Sequence, residues 1–173
     1  MKNKLLLGIT ALVLMVGSFF GGSYFEKQKI KSFPYPSSLS YPSNQNLSVV
    51  EVSDGDTFKL SDGKTFRLYG VNAPEVKEPF FEEAKMFTEN LVLGKEISFE
   101  QEDNYKIDKF GRTLGYVFID GVNLNIELVK NGLARVVLYE KRAKIKYQDE
   151  LFSAEKRSKS EKGGGLEIKF FFD

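Results

Sequence analysis

Residues Val52 to Glu75 read VSDGDTFKLSDGKTFRLYGVNAPE. Polar and apolar residues alternate in Thr57-Phe58-Lys59-Leu60 and again in Thr65-Phe66-Arg67-Leu68-Tyr69, which predicts two half-buried strands. Asp62-Gly63 between them is a hairpin turn signal. If the strands pair, Asp56 lies near Asn72 and Glu75, where the second strand runs out into Ala73-Pro74. Pro74 stops the ladder and fixes the chain locally, so Glu75 is expected in a turn. Asp56, Asn72 and Glu75, with Arg67 close by, form an oxygen-rich cluster suited to a hard cation and a phosphate. An acidic hairpin end with surface charges would explain the same residues more blandly, because Asp-Gly turns are common in antiparallel proteins.

Toward the N-terminus, Leu47 to Val52 reads as a first strand and the start of the folded domain. Residues 26–46 carry Pro34, Pro36 and Pro42 among serines and tyrosines, the composition of a tether. Phe33, Tyr35 and Tyr41 leave open an arm packed on the domain. In residues 1–25, Lys2 and Lys4 precede an uncharged run from Leu5 to Phe25, which reads as an export signal. Gly21 and Ser23 allow cleavage after Ser23, and the run is also long enough to remain as a membrane anchor. Both readings put the domain outside the cytoplasmic membrane; a buried core helix is the alternative.

Toward the C-terminus, Pro79 can open a helix, and Phe80, Ala84, Phe87 and Leu91 make one apolar stripe that Gly94 ends. Lys95 to Glu100 and Thr113 to Ile119 alternate as strands, with a polar loop over Gln101 to Lys109 and a tight turn at Asp120-Gly121. Asn123 caps a short helix, Leu124 to Lys130, which Asn131-Gly132 terminates. Ala134 to Tyr139 is a short apolar stretch. A third helix follows from Tyr147 to about Lys162, with Tyr147, Leu151 and Ala154 inward. Residues 163–173 have no clear assignment. This order predicts an α+β domain over residues 47–162: a small curled antiparallel sheet of about five strands with three helices, its spacing compatible with a closed barrel of the OB type. Periodicity does not distinguish that barrel from another α+β sheet.

Composition narrows the chemistry. Basic and acidic residues, 25 and 24, nearly cancel, so any nucleic-acid site must come from local clustering. With no cysteine and no histidine, thiolate sites, imidazole bases and the usual zinc and copper ligands are excluded. Oxygen ligands, carboxylate bases and arginines remain.

Four motifs now stand in order: Asp54-Gly-Asp-Thr57, Arg67-Leu-Tyr-Gly-Val-Asn-Ala-Pro-Glu75, Asp108-Lys-Phe-Gly-Arg112 and Asn131-Gly-Leu-Ala134. Together they resemble the staphylococcal (thermonuclease-like) nuclease family, over about Leu47 to Glu161. The resemblance implies an OB-fold five-stranded barrel with three helices and a calcium-dependent phosphodiesterase. Such an enzyme would cut DNA and RNA, preferably single-stranded, with low sequence specificity, on the 5′-oxygen side, leaving 3′-phosphate ends. It implies Asp56 and the backbone carbonyl of Thr57 as calcium ligands, Glu75 as general base, and Arg67 and Arg112 as the pair gripping the scissile phosphate. Asn72 stands where the family commonly has a second metal-binding aspartate, and Phe110 where a tyrosine is familiar.

The residues agree with that chemistry on their own terms. Calcium accepts amide oxygens, so Asn72 remains a legal ligand, with one negative charge fewer. A carboxylate such as Glu75 can take a proton from water. Arginine forks match phosphate oxygens bidentately, and Gly111 would let the backbone turn Arg112 inward. Lys141 and Arg142, in a basic run with Lys144 and Lys146, could track a nucleic-acid backbone or form a solvated loop. Phe110 and Tyr139 could stack on bases or pack at the sheet edge. The expected protein is an exported monomer, in contact with the membrane if its N-terminal segment stays uncleaved. The rival is a catalytically weak or inactive relative that keeps the barrel as a binding module of the cell envelope.

Overall fold

The computed structural model describes residues 47–138 and 143–162. The expected export segment, the tether, the tail, Tyr139, Lys141 and Arg142 lie outside them. Among the described residues no helix is long and apolar enough to cross a membrane.

Strands β1 (Leu47–Val52), β2 (Thr57–Leu60) and β3 (Thr65–Leu68) form an antiparallel meander. Their alternation is what the sequence predicts: Val49, Val52, Phe58, Leu60, Phe66 and Leu68 are buried. The Asp62-Gly63 turn closes with Gly63 at φ 84°, a left-handed backbone that glycine adopts without strain. β5 (Glu96–Glu100) pairs with β1 on the far side, and β6 (Thr113–Ile119) pairs with β5. β6 then pairs with β3, Arg67 opposite Leu114, and closes a five-stranded barrel. That last pairing is parallel, so the sheet is mixed where the strand order suggested a purely antiparallel one. Closure needs Gly115, where a Cβ would stand 2.6 Å from the Glu100 carbonyl oxygen.

Three further strands were too short to show a period. β4 (Val71–Asn72) and β8 (Arg135–Val136) make a separate two-stranded ribbon, while β7 (Val122–Asn123) extends the barrel sheet beyond β6. The ribbon sets Asn72 opposite Arg135.

Inside the barrel, Phe58 and Phe66 stack with centroids 5.3 Å apart, and Phe99 meets Phe66 edge-on at 5.1 Å. Helix α1 (Phe81–Val92) begins two residues after Pro79, on Phe80. Its inward face runs through Ala84, Thr88 and Val92; Phe87 and Leu91 are only partly buried, so the core-facing stripe is rotated from the one the apolar residues suggest. Helix α2 (Leu124–Lys130) starts where Asn123 caps it, Oδ1 accepting the Ile126 N–H at 3.2 Å, and stops at Asn131-Gly132. Helix α3 (Gln148–Lys162) packs on α2 and buries Leu151 and Ala154. Ahead of α3, Glu102 accepts from the Tyr116 hydroxyl at 2.6 Å and the Lys146 N–H at 2.7 Å, fastening this segment to the barrel.

Candidate active site

The register of the barrel brings the sequence candidates together. Thr57 lies opposite Arg67 across β2 and β3, so Asp56 arrives at the side of the Arg67 guanidinium. Asp56 is 1% exposed, and both of its oxygens are engaged. Oδ1 accepts from the Thr57 hydroxyl at 2.8 Å and from Arg67 Nη1; Oδ2 accepts the Ala73 N–H at 2.7 Å. The other prong of the same fork, Arg67 Nη2, donates to Asn72 Oδ1 at 2.8 Å, and Asn72 Nδ2 donates to the Ala73 carbonyl at 3.2 Å. Arg67 therefore bridges the two side chains expected to hold a cation. Burial pushes the Asp56 carboxyl up to about 7, against the pull of Arg67 and the Ala73 and Thr57 hydrogen bonds.

The turn that carries Asp56 is fixed from below. Asp54 Oδ1 accepts the Asp56 N–H at 2.9 Å, and the buried Thr88 hydroxyl of α1 donates to the Gly55 carbonyl at 2.6 Å. Gly55 sits so close to α1 that a Cβ would be 2.7 Å from the Ala73 Cβ and 2.8 Å from that of Ala84. Thr88→Val keeps the shape but leaves the buried carbonyl without its donor, and is expected to cost about 1–3 kcal/mol, read as a lower urea midpoint. Thr88→Ser keeps the hydroxyl and should lose less.

The Thr57 carbonyl, expected in the ligand set, accepts the backbone N–H groups of Ser53 at 2.9 Å and Asp54 at 3.3 Å within the 53–57 turn. The Ala73 carbonyl, bonded to the Asn72 amide, is the main-chain oxygen beside Asn72.

Arg112 reaches the same region from the loop before β6. Asp108 Oδ1 accepts the N–H groups of Phe110 and Arg112, both at 2.9 Å, and Oδ2 accepts Arg112 Nε at 2.7 Å. Burial alone would raise the Asp108 carboxyl, but these hydrogen bonds and the Arg112 charge outweigh it and hold it below the usual carboxylate range. Gly111 takes φ 81° in this tight loop, the conformation its position next to Arg112 suggested. Arg112 Nε is tied to Asp108, and no hydrogen bond from Nη1 or Nη2 stands among the contacts described. A single cleft is lined by Arg67 and Arg112 together with Asn72, Asp108, Gly70 and Val137.

Phe110 is 70% exposed at the tip of the same loop, with Lys109 Nζ 4.9 Å and Arg112 Cζ 5.2 Å from its ring centre. It does not pack at the sheet edge. Glu75 is exposed on the loop between β4 and α1, and it is linked to Asp56 through Pro74 and Ala73, whose N–H donates to Asp56 Oδ2.

The oxygens at Asp56 and Asn72 and the Ala73 carbonyl fit a hard cation in type, with no nitrogen or sulfur donor among them. The set holds a single carboxylate, and among the described residues no three of His, Cys, Asp and Glu gather as a metal cluster. Asp54, Asp108 and Thr88 are the residues the sequence did not assign; Asp108 was visible in its motif, but nothing in the spacing tied it to Arg112.

Residues 65–165 match the model of the staphylococcal nuclease homologue family, more than half of the chain. The chain belongs to the staphylococcal nuclease family. It is 36% identical to the thermonuclease of Staphylococcus hyicus over 138 residues, covering 74% of this chain and 80% of that protein. Two Bacillus subtilis proteins are also similar. Endonuclease YncB is 34% identical, covering 73% of this chain and 64% of that protein. The SPbeta prophage-derived endonuclease YokF is 35% identical over 98 residues, covering 53% of this chain and a third of that protein (33%). The expected recognition therefore holds, and with it the α+β OB-type barrel.

Proposed function

We propose that this chain is a calcium-dependent nuclease that cleaves DNA and RNA, preferably single-stranded, with low sequence specificity. The observation that carries this is the convergence of Arg67 and Arg112 on one cleft, each with one edge held by a carboxylate. Membership of the staphylococcal nuclease family supports nuclease activity on nucleic acids.

A phosphodiester needs its oxygens neutralised, a water activated, and charge stabilised on the departing oxygen. Arg67 exchanges part of its hold on Asp56 and Asn72 for phosphate oxygens, and Arg112 meets the phosphate with the prongs that Asp108 leaves uncommitted. Glu75 takes the proton of the attacking water. Asp56 and Asn72, with the Ala73 carbonyl beside them, would hold calcium, which when bound supplies positive charge to the phosphate. Phe110 offers a stacking face for a base without reading its edge, which fits low sequence specificity. Cleavage on the 5′-oxygen side with 3′-phosphate products follows the resemblance on which the residue roles rest. Incubating the full chain with single-stranded DNA and with RNA, in calcium or in chelator, tests the reading. Calcium-dependent products bearing 3′-phosphates are expected; no cleavage in calcium would overturn it.

We also place the protein outside the cytoplasmic membrane, on the uncharged run Leu5 to Phe25 behind Lys2 and Lys4. N-terminal sequencing of protein from fractionated cells is expected to find either a mature start after Ser23 or an intact, membrane-associated chain. A soluble cytoplasmic product retaining Met1 would refute both.

A further inference from the structure

Where the Glu75 carboxylate points depends on its backbone, since the residue is exposed and lies in no helix or strand. That backbone is held from two sides. Before it, the Ala73 N–H is bonded to Asp56 and Pro74 is buried. After it, Glu78 closes a reciprocal pair: its N–H donates to the Glu75 carbonyl at 2.8 Å, and its Oε2 accepts the Glu75 N–H at 2.7 Å. The loop that allows this is strained. Lys77 and Phe80 take φ values of 76° and 67°, left-handed backbone that residues with a Cβ adopt at a cost. That cost falls on the loop that carries Glu75.

We propose that Glu78 is a positioning residue for Glu75. It acts through the Glu75 main chain, and the proposal rests on the reading of Glu75 as the general base. A group that takes a proton from water must sit within hydrogen-bond reach of it, and small misplacements of such groups cost large factors in rate.

The test compares the full chain with Glu78→Ala, Glu78→Gln, Glu75→Gln and the Glu75→Gln/Glu78→Ala double variant, each checked for folding by circular dichroism. Glu78→Ala is expected to lower kcat about tenfold with KM within roughly twofold. Glu78→Gln keeps an acceptor oxygen at the same reach and should recover to within about threefold of the parent. Added to Glu75→Gln, the alanine should change the rate by less than about twofold, because the base it positions is already gone. Should Glu78→Ala not fold, Glu78→Asp, one methylene shorter, takes its place with the same expectation. A parental kcat in Glu78→Ala, equal losses in the Ala and Gln variants, or a full loss on top of Glu75→Gln would each overturn the proposal. A parental rate in Glu75→Gln alone would overturn the base assignment and this proposal with it, and that comparison does not involve Glu78.

Discussion

Glu75→Gln and Arg112→Ala each lower the rate of phosphodiester cleavage by at least about 10²-fold and leave the fold intact. The two losses have different origins. Glutamine at 75 keeps size and reach but cannot take a proton, so the attacking water must ionise unaided. Alanine at 112 removes a fork from the cleft it shares with Arg67 and frees Asp108 from its only side-chain cation among the contacts described. Neither residue belongs to the core: Glu75 is exposed, and Arg112 keeps a side-chain exposure of 27%. The Arg112–Asp108 pair is partly buried, so the melt of Arg112→Ala should fall modestly, while that of Glu75→Gln should stay near the parent. Asp108 retains the backbone N–H groups of Phe110 and residue 112 in the alanine variant, which preserves the loop. Initial rates on single-stranded DNA in saturating calcium decide the matter. Parental rates in either variant would sink the mechanism and favour the rival in which the barrel serves as a binding module.

Much of this site was legible because strands announce themselves locally. Phe58, Leu60, Phe66 and Leu68 alternate with polar neighbours, so β2 and β3 and the turn between them could be read almost to the residue. Asn123 and Asn131-Gly132 marked both ends of α2 for the same reason: caps are made by side chains adjacent in sequence. Long-range geometry was not legible. The parallel pairing of β3 with β6, which carries Arg67 toward Arg112, joins segments far apart in the chain and leaves no periodic trace. Thr88 carried no sequence signal, because its partner is a main-chain carbonyl on another element. The Thr57 carbonyl was assigned to the cation by the family resemblance alone. The direction of a main-chain oxygen depends on the turn, and here the turn uses it for Ser53 and Asp54.

Asn72→Asp is expected to tighten calcium binding by on the order of tenfold and to shift half-maximal activity to lower calcium, since affinity in hard-ion sites rises with ligand charge. Size and reach are conserved, so what changes is charge and one donor. Without calcium the substitution works against the fold. It sets a second carboxylate beside Asp56, whose carboxyl burial already raises to about 7. It also removes the Nδ2–H that the Ala73 carbonyl accepts, leaving two oxygens facing at that contact. Arg67 offsets part of this, because its fork already reaches both side chains and would bridge two charges instead of one. The calcium-free variant should therefore lose on the order of 1 kcal/mol, and calcium should more than restore it. The sign with pH follows from the raised carboxyl. Its protonated form predominates below about 7 and cannot serve as a charged ligand, so calcium affinity in both proteins should climb as pH rises through that value. A second carboxylate pushes the Asp56 carboxyl further up in the metal-free state, so the climb in Asn72→Asp should begin at higher pH. Calorimetric calcium titrations at about pH 6 and 8.5 and unfolding melts in chelator, run beside cleavage assays on both proteins, read these effects. If affinity, calcium requirement and calcium-free stability are all unchanged, Asn72 does no more than brace Arg67 and the Ala73 carbonyl, and Asp56 is left as the only side-chain ligand.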